Sequence, residues 1–290
     1  MKSRKTRRKK RKTRRMKGGE IRYYINGSHY DGQMRHDKRN GRGKFTERGG
    51  LISLEGDWID DKLHGQGKYI NPDKYMYEGG WRDNKKHGYG KYVGVNGITY
   101  EGGWKNDLTH GQGTLTEPGA FTYTGDWKNG KQHGKGIKTS VNGITYEGDW
   151  KDGKLHGQGT LTKPGVSTYT GGWKNNKQHR EGIKTYADGA IYEGGWEDGR
   201  QHGQGKYTFP DKSYYTGEFF NNRFQGYGKM IDIHGNVYTG NWLNNIRHGI
   251  GVQIYPGQPG QPGQPGQPVR VENGEWQNDV FIVDHGENEL

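Results

Sequence analysis

The sequence predicts an all-β protein, an elongated single-layer antiparallel sheet of stacked 23-residue β-hairpin repeats. Three observations predict it. Tyr77, Tyr100, Tyr123, Tyr146, Tyr169, Tyr192, Tyr215 and Tyr238 follow one another at intervals of 23 residues, with Tyr30 ahead of them and Leu54 in the same slot between. A fixed period of this size marks a repeat array. Within a unit, Tyr146, Gly148 and Trp150 are spaced by two, which puts all three on one face of a strand. Asp152-Gly153 is a preferred type I′ hairpin pair, and Asn129-Gly130 and Asp198-Gly199 fill the same slot.

A two-residue turn at Asp152-Gly153 sets Lys151 opposite Lys154 and Trp150 opposite Leu155. An unbroken ladder then puts Gly148 opposite Gly157 and Tyr146 opposite Gly159. One face carries tyrosine and tryptophan with glycines between and opposite them, so that a ring can lie over bare backbone. The other carries Glu147, Asp149, His156 and Gln158. The same register places Arg180, where other units have glycine, opposite Gly171 on the aromatic face. It is expected either to lie against Trp173 or a neighbouring tryptophan in a cation–π contact, or to be turned outward by a local bulge.

Taken in order, residues 1–19 form a basic arm, and such a like-charge block is expected to be disordered on its own. Residues 20–29 read as an amino-terminal cap strand with a turn at Asn26-Gly27. Residues 30–253 hold ten units. The first is degenerate, with Met34 for tryptophan and Asn40 for histidine. The expected structural core of the array is Tyr77, Trp81, Tyr100, Trp104, Tyr123, Trp127, Tyr146, Trp150, Tyr169, Trp173, Tyr192, Trp196, Tyr238 and Trp242. Turn formers separate the units, among them Asn71-Pro72-Asp73, Pro118-Gly119 and Asn142-Gly143. Residues 254–268 read as an insert loop of Pro-Gly-Gln copies, extended or polyproline II in character. Residues 269–281 contain Gly274-Glu275-Trp276, the middle of a degenerate last repeat, and 282–290 read as a polar tail.

Composition supports a thin sheet. The hydrophobic fraction is 27%, against about 45–50% on a count that includes glycine. The 54 glycines close that gap but bury no side chain, which excludes a large aliphatic core. With no cysteine there is no disulfide, thiolate metal site or cysteine nucleophile. The net charge of +13 is concentrated at one end, because residues 1–17 hold twelve Lys or Arg and no acid. Removing those twelve from the 45 basic residues leaves 33 against 32 acidic, so the rest of the chain carries +1. The arm has no apolar h-region, and no stretch is long enough to span a bilayer.

The repeated Y-x-G-x-W, polar turn and H-G-x-G resembles the MORN (membrane occupation and recognition nexus) repeat over residues 30–253 and, more weakly, 269–281. The resemblance implies an elongated, twisted sheet of hairpins, a scaffold role in protein–protein contacts, and a link to acidic phospholipids. Some members carry the repeats ahead of a catalytic domain. Met34, Asn40, Leu54, Phe219, Gln225 and the stretch His179-Arg180-Glu181-Gly182 depart from the pattern. The Lys- and Arg-packed start ending in Gly18-Gly19 resembles proteins of large DNA viruses.

Candidate chemistry is sparse. Equivalent histidines such as His133 and His156 stand one unit apart, about 9–10 Å, whereas zinc ligands lie about 2.0–2.3 Å from their ion. The histidines are therefore expected to be structural, beside the turn and opposite Asp149, Asp57 or Asp126. The glycine motifs lack the helix and Lys-Ser/Thr of a phosphate loop. The lysines flanking the turns, such as Lys128, Lys151, Lys154 and Lys174, either meet lipid headgroups or form a solvated rim that resists edge aggregation. The arm is the best candidate for direct function: Lys2, Arg4, Lys5, Arg7, Arg8, Lys9, Lys10, Arg11, Lys12, Arg14, Arg15 and Lys17 suit phosphates of nucleic acid or anionic lipid and also read as a nuclear-import segment. The reading is a non-enzymatic, intracellular scaffold for protein partners, in cytoplasm or nucleus and not secreted, without catalytic, cofactor or metal residues, whose arm binds anionic partners. The alternative is a protein associated with acidic phospholipid at a membrane, or with nucleic acid, through the arm as principal binder.

Residues 256–268 carry no apolar side chain able to anchor a core, and proline lacks the ladder donor. Shortening them to an ordinary inter-unit turn should leave the melting temperature nearly unchanged in a calorimetric scan.

Overall fold

A computed structural model describes residues 19–257 and 269–284. The described residues form β-strands joined by turns, with no helix among them. The arm to residue 18, residues 258–268 of the insert, and the tail from 285 lie outside the described residues. The chain divides into two compact units, residues 1–131 and 132–290. The first contains β1 (Glu20–Tyr23), β2 (His29–Arg35), β3 (Lys38–Thr46), β4 (Ser53–Ile59), β5 (Lys62–Asn71), β6 (Tyr75–Arg82), β7 (Lys85–Gly94), β8 (Thr99–Lys105), β9 (Leu108–Glu117) and β10 (Phe121–Lys128). The second contains β11 (Lys131–Ser140), which starts at the division, β12 (Thr145–Lys151), β13 (Lys154–Lys163), β14 (Ser167–Lys174), β15 (Lys177–Tyr186), β16 (Ile191–Glu197), β17 (Arg200–Thr208), β18 (Tyr214–Phe220), β19 (Arg223–Ile231), β20 (Val237–Leu243), β21 (Ile246–Tyr255), β22 (Arg270–Gln277) and β23 (Val280–Asp284).

Within each unit every strand pairs antiparallel with the next in sequence, from β1 on β2 to β9 on β10 and from β11 on β12 to β22 on β23. The all-β, hairpin-repeat class read from the sequence is the fold. Two strand ends differ from expectation. β21 continues to Tyr255, inside the stretch read as insert. β23 runs to Asp284, past the start of the expected tail, and the Phe281 ring lies 5.2 Å from that of Trp276.

The hairpin turns are as the dipeptides require. Asp152 and Gly153 have φ of 51° and 80°, the left-handed pair of a type I′ turn, and Lys151 faces Lys154 and Trp150 faces Leu155. Beyond that point the expected register fails. Asp149 faces His156, but Gly148 faces Gly159 and Tyr146 faces Leu161, so Gly157 and Gln158 are an inserted pair. The second glycine of H-G-x-G, rather than the first, stands opposite the strand glycine. The first supplies a left-handed φ, 60° at Gly157, to make the bulge. Similar register breaks occur in the other hairpins, for example between Gly79 and Trp81 and between Gly217 and Glu218.

The shift settles Arg180. It occupies the left-handed bulge position with φ 61° and is exposed; in its own hairpin Gly171 faces Gly182 instead, and Arg180 pairs only with Trp196 of the following strand. The cation–π alternative for this residue is not realised, and the outward-turning bulge is. Arginine there carries backbone strain of about 1–2 kcal/mol that glycine does not.

The bulge exists to seat the tyrosine. The Tyr146 ring lies over the Gly148–Gly159 pair: a Cβ on Gly159 would sit 2.3 Å from the Tyr146 hydroxyl, and one on Gly148 would sit 2.5 Å from the Gly159 Cα. The hydroxyl reaches past them and donates to the Asp149 carbonyl at the break, 2.9 Å away. Tyr77 does the same to Gly80, and Tyr238 to Asn241.

Within each unit, successive hairpins are also joined at the turns. The second turn residue donates its N–H to a carbonyl of the preceding hairpin, as from Asn84 to Leu63 and from Asn176 to Leu155, both 3.0 Å. Where that residue is Asn or Asp, its Oδ1 accepts a return bond from the same neighbour, 2.7 Å from Leu63 N and 2.8 Å from Leu155 N. Gly130 and Gly153 make the first bond through their own N–H but have no side chain for the second.

Two glycines of one bulge separate the two effects. Gly88 has φ 74° with nothing within 4 Å of an added Cβ, whereas a Cβ on Gly90 would stand 2.2 Å from the Tyr77 hydroxyl. Gly88→Ala should cost about 1–2 kcal/mol of backbone strain. Gly90→Ala should cost more, because Tyr77 must leave its site. Chemical denaturation of the two single variants checks that order.

Candidate interaction surface

The fourteen aromatic residues assigned to the repeat core are all buried. Among the described residues, Leu63 and Ala190 are the only aliphatic side chains in the buried apolar set, so the rings are the core. They form a ladder. Tyr77 meets Trp81 edge-on at 5.1 Å and the next tryptophan, Trp104, at 5.4 Å. In the second unit Tyr169 meets Trp173 at 5.2 Å and Trp196 at 5.1 Å. Each such pair is worth about 0.5–1.5 kcal/mol beyond its area. Except at Trp276, whose Nε1 is buried without a partner, the indole N–H groups donate to glycine carbonyls of the preceding hairpin, Trp81 to Gly67 and Trp173 to Gly159, both 3.0 Å.

Burial sets the acid–base behaviour of the ladder, because it disfavours the phenolate. It pushes Tyr30 and Tyr238 up to about 12 and raises Tyr77, Tyr100, Tyr146, Tyr169 and Tyr192 as well.

One position on the aromatic face varies from unit to unit: the residue opposite each tryptophan slot. In the pairings within the two units it is Arg39, Leu63, Lys86, Thr109, Leu155, Gln178, Gln201, Phe224, Arg247 and Phe281. Three cations there cap rings. The Arg39 guanidinium lies 4.2 Å from the Trp58 centroid, and Arg247 4.3 Å from that of Trp276. Lys86 Nζ sits among Trp104, Tyr75, Tyr92 and Tyr77 at 4.5–5.7 Å, and its burial lowers its pKa. Sequence reasoning sought a cation–π contact at Arg180 and missed these three. The signal was present, since the slot opposite tryptophan was identified at Leu155. Between Trp196 and Trp242 the slot holds Gln201 and Phe224, and an aromatic groove of about 740 Å³ opens there. A smaller groove of about 240 Å³ adjoins it, sharing Lys184 and Gly199.

The histidines lie on the other face. His156 stands opposite Asp149, and His64 opposite Asp57. Nδ1 of His64 accepts from the Asp83 N–H at 3.4 Å, while Nδ1 of His87, His110, His156 and His179 is buried without a hydrogen-bond partner. Among the described residues no three His, Cys, Asp or Glu converge on a point that could hold a metal ion. Asp149 closes its own bulge: burial raises its carboxyl, but Lys135 and the Gln158 N–H at 2.8 Å outweigh that and hold it below the usual carboxylate range. Rim lysines reach the acid of the next turn, Lys62 to Asp83 and Lys177 to Asp198, both 3.6 Å and exposed. Such pairs contribute little. Residues 2–17, the expected anion-binding arm, lie outside the described residues.

Ten stretches match the sequence model of the MORN repeat: residues 30–46, 55–74, 77–99, 100–116, 123–145, 146–165, 169–191, 192–214, 215–236 and 238–258. No curated protein matches the chain. Among solved structures, the chain is similar to the TCP10 domain of CPAP from Danio rerio at 10% identity and a TM-score of 0.36, over 69% of this chain and 94% of that one. It is also similar to the SAS-4 (dCPAP) TCP domain of Drosophila melanogaster, solved with a proline-rich motif of Ana2 (dSTIL), at 10% identity and a TM-score of 0.33, over 57% of this chain and 85% of that one.

The ladder tyrosines give the fold an alkaline limit. Their folded-state values lie above the ordinary 10.0, so the fold holds the neutral phenol. Their contribution is complete below pH 10; that of Tyr30 and Tyr238 is lost as the pH rises through about 12, and that of the more strongly raised tyrosines at still higher pH. In an alkaline titration, tyrosinate absorbance from the buried rings should therefore appear together with loss of the β-sheet circular dichroism signal.

Proposed function

The chain belongs to the MORN repeat family, and from that premise we propose that it is a non-enzymatic scaffold whose repeat body holds protein partners, while its basic arm binds anionic ones. The observation that carries the scaffold reading is the aromatic face. Its Tyr–Trp ladder recurs with few departures, its slot residue changes from unit to unit, and it opens into a ring-lined groove where the slot holds Gln201 and Phe224. Ring-rich concave surfaces with a few polar groups suit peptide and side-chain recognition.

The arm reading rests on charge. Twelve Lys or Arg within the first 17 residues stand against a net +1 for all the rest. Such a segment meets phosphates of nucleic acid or anionic lipid with an affinity that falls steeply with salt. Among the described residues no helix is long and apolar enough to cross a membrane. The proposed setting is intracellular, with attachment at a membrane surface or to nucleic acid as the arm's contribution.

Deleting residues 2–17 should abolish most binding to heparin, duplex DNA or anionic vesicles and leave the β-sheet spectrum intact. If six phosphates on DNA are contacted, the log–log salt slope of the intact chain should be about −5. A deleted chain that binds anionic vesicles as tightly as the intact one would move lipid recognition to the lysine rim of the sheet.

A further inference from the structure

We propose that the groove between Trp196 and Trp242 is a docking site for an extended peptide of a partner protein, one that presents an aromatic side chain flanked by carboxylates. This deepens the scaffold reading and rests on it.

The apolar half of the argument is the lining. Tyr186, Trp196, Tyr207, Phe209, Phe224 and Trp242 line a single groove of about 740 Å³, inside the range of about 300–1,000 Å³ typical of ligand sites. Phe224 is fixed from below, stacked on Tyr215 at 3.9 Å and 11°. Tyr207, Phe209 and Phe224 form a cluster with centroids 4.8–6.4 Å apart. At Trp58, Trp104 and Trp276 a cation from the variable slot already occupies the ring face. Here the slot residues are Gln201 and Phe224, Phe224 meets Trp242 edge-on at 5.7 Å, and the cation over Trp196 is the more distant Lys184 Nζ, 6.0 Å from its centroid, which leaves room along the rings for a visitor.

The polar half fixes the visitor's charge. Lys184 Nζ stands at the groove over Tyr186 at 4.5 Å, and Lys163 lines the adjoining groove with it. Among the described residues neither has a carboxylate within 4.0 Å, whereas Lys177 beside them is already paired with Asp198. Burial, and then the charge of Lys163, lower the Lys184 pKa, as expected of cations held together without an anion. The acid that acts on Tyr186 and Tyr207 is Asp188, whose Oδ1 holds the Ala190 N–H at 3.0 Å. A cationic visitor would meet Lys184 and Lys163, whereas a carboxylate would neutralise them in a partly desolvated setting. Asn222 and Asn245 complete the lining. The Oδ1 of each accepts from a backbone N–H, Asn222 from Gln201 and Asn245 from Phe224, which leaves the Nδ2 donor for a peptide carbonyl.

The test uses the full chain and labelled peptides of about ten residues, each with one central tryptophan flanked by glutamates, or with lysines for the glutamates, or with serine for the tryptophan. Fluorescence anisotropy should show the glutamate–tryptophan peptide binding at least tenfold tighter than the other two. Lys184→Glu and Tyr207→Ser should each weaken it at least tenfold with the β-sheet spectrum retained. Lys184→Glu should also reverse the charge preference toward the lysine peptide, a result that loss of folding does not produce. Equal binding of the glutamate and lysine peptides, no binding of either, or indifference to Lys184→Glu would overturn the assignment. So would phosphatidylserine vesicles competing for the groove in place of the peptide. A protein partner of the intact chain that still binds both variants would overturn the groove alone and leave the scaffold reading standing. Absence of any partner for the repeat body would remove the scaffold reading too.

Discussion

The fold depends on one contact: a tyrosine ring laid flat across a pair of facing glycines, with its hydroxyl on the carbonyl just beyond. A sheet of one layer has no second layer to cover it, so its hydrophobic core must be made from side chains lying along its own backbone. Only glycine leaves the space, and only a bulge leaves a carbonyl free at the right distance for the hydroxyl. In the second unit Tyr146, Gly148, Gly159 and Asp149 are therefore one device. The left-handed Gly157 is the hinge that makes it possible.

From that device the other contacts follow. With the tyrosine flat, its edge meets the tryptophan of its own hairpin and that of the next. The indole N–H then reaches back to a glycine carbonyl of the preceding hairpin. The turn residues add the second tie between neighbours, two hydrogen bonds where the turn ends in Asn or Asp and one where it ends in glycine. Each hairpin is thus held mainly by its immediate neighbours, the energetic arrangement of a solenoid. The ladder is self-sufficient wherever it occurs, and the slot opposite the tryptophan is free to change. That freedom is where recognition is proposed to reside: Arg39, Lys86 and Arg247 close the face, while Gln201 and Phe224 leave it open.

The sequence by itself determined the repeat, its period, the hairpins, the type I′ turns and the membership of the aromatic face, because each depends on chain-local geometry. Spacing by two puts Tyr146, Gly148 and Trp150 together whatever their partners are, and Asp152-Gly153 turns the chain on its own φ preferences. The tertiary structure decided the register beyond the turn. Period-two counting assumes an unbroken ladder, and nothing local in Gly157-Gln158-Gly159 says which glycine turns left-handed until the tyrosine ring has to fit. Arg180 turns outward for that reason, the second of its two expected placements: its slot belongs to the bulge, not to the aromatic face. The capping of Trp104 by Lys86, and the groove lined by Tyr186, Phe209 and Trp242, likewise needed the fold, since they join side chains 18 to 56 residues apart that meet only when successive hairpins are stacked in the observed register.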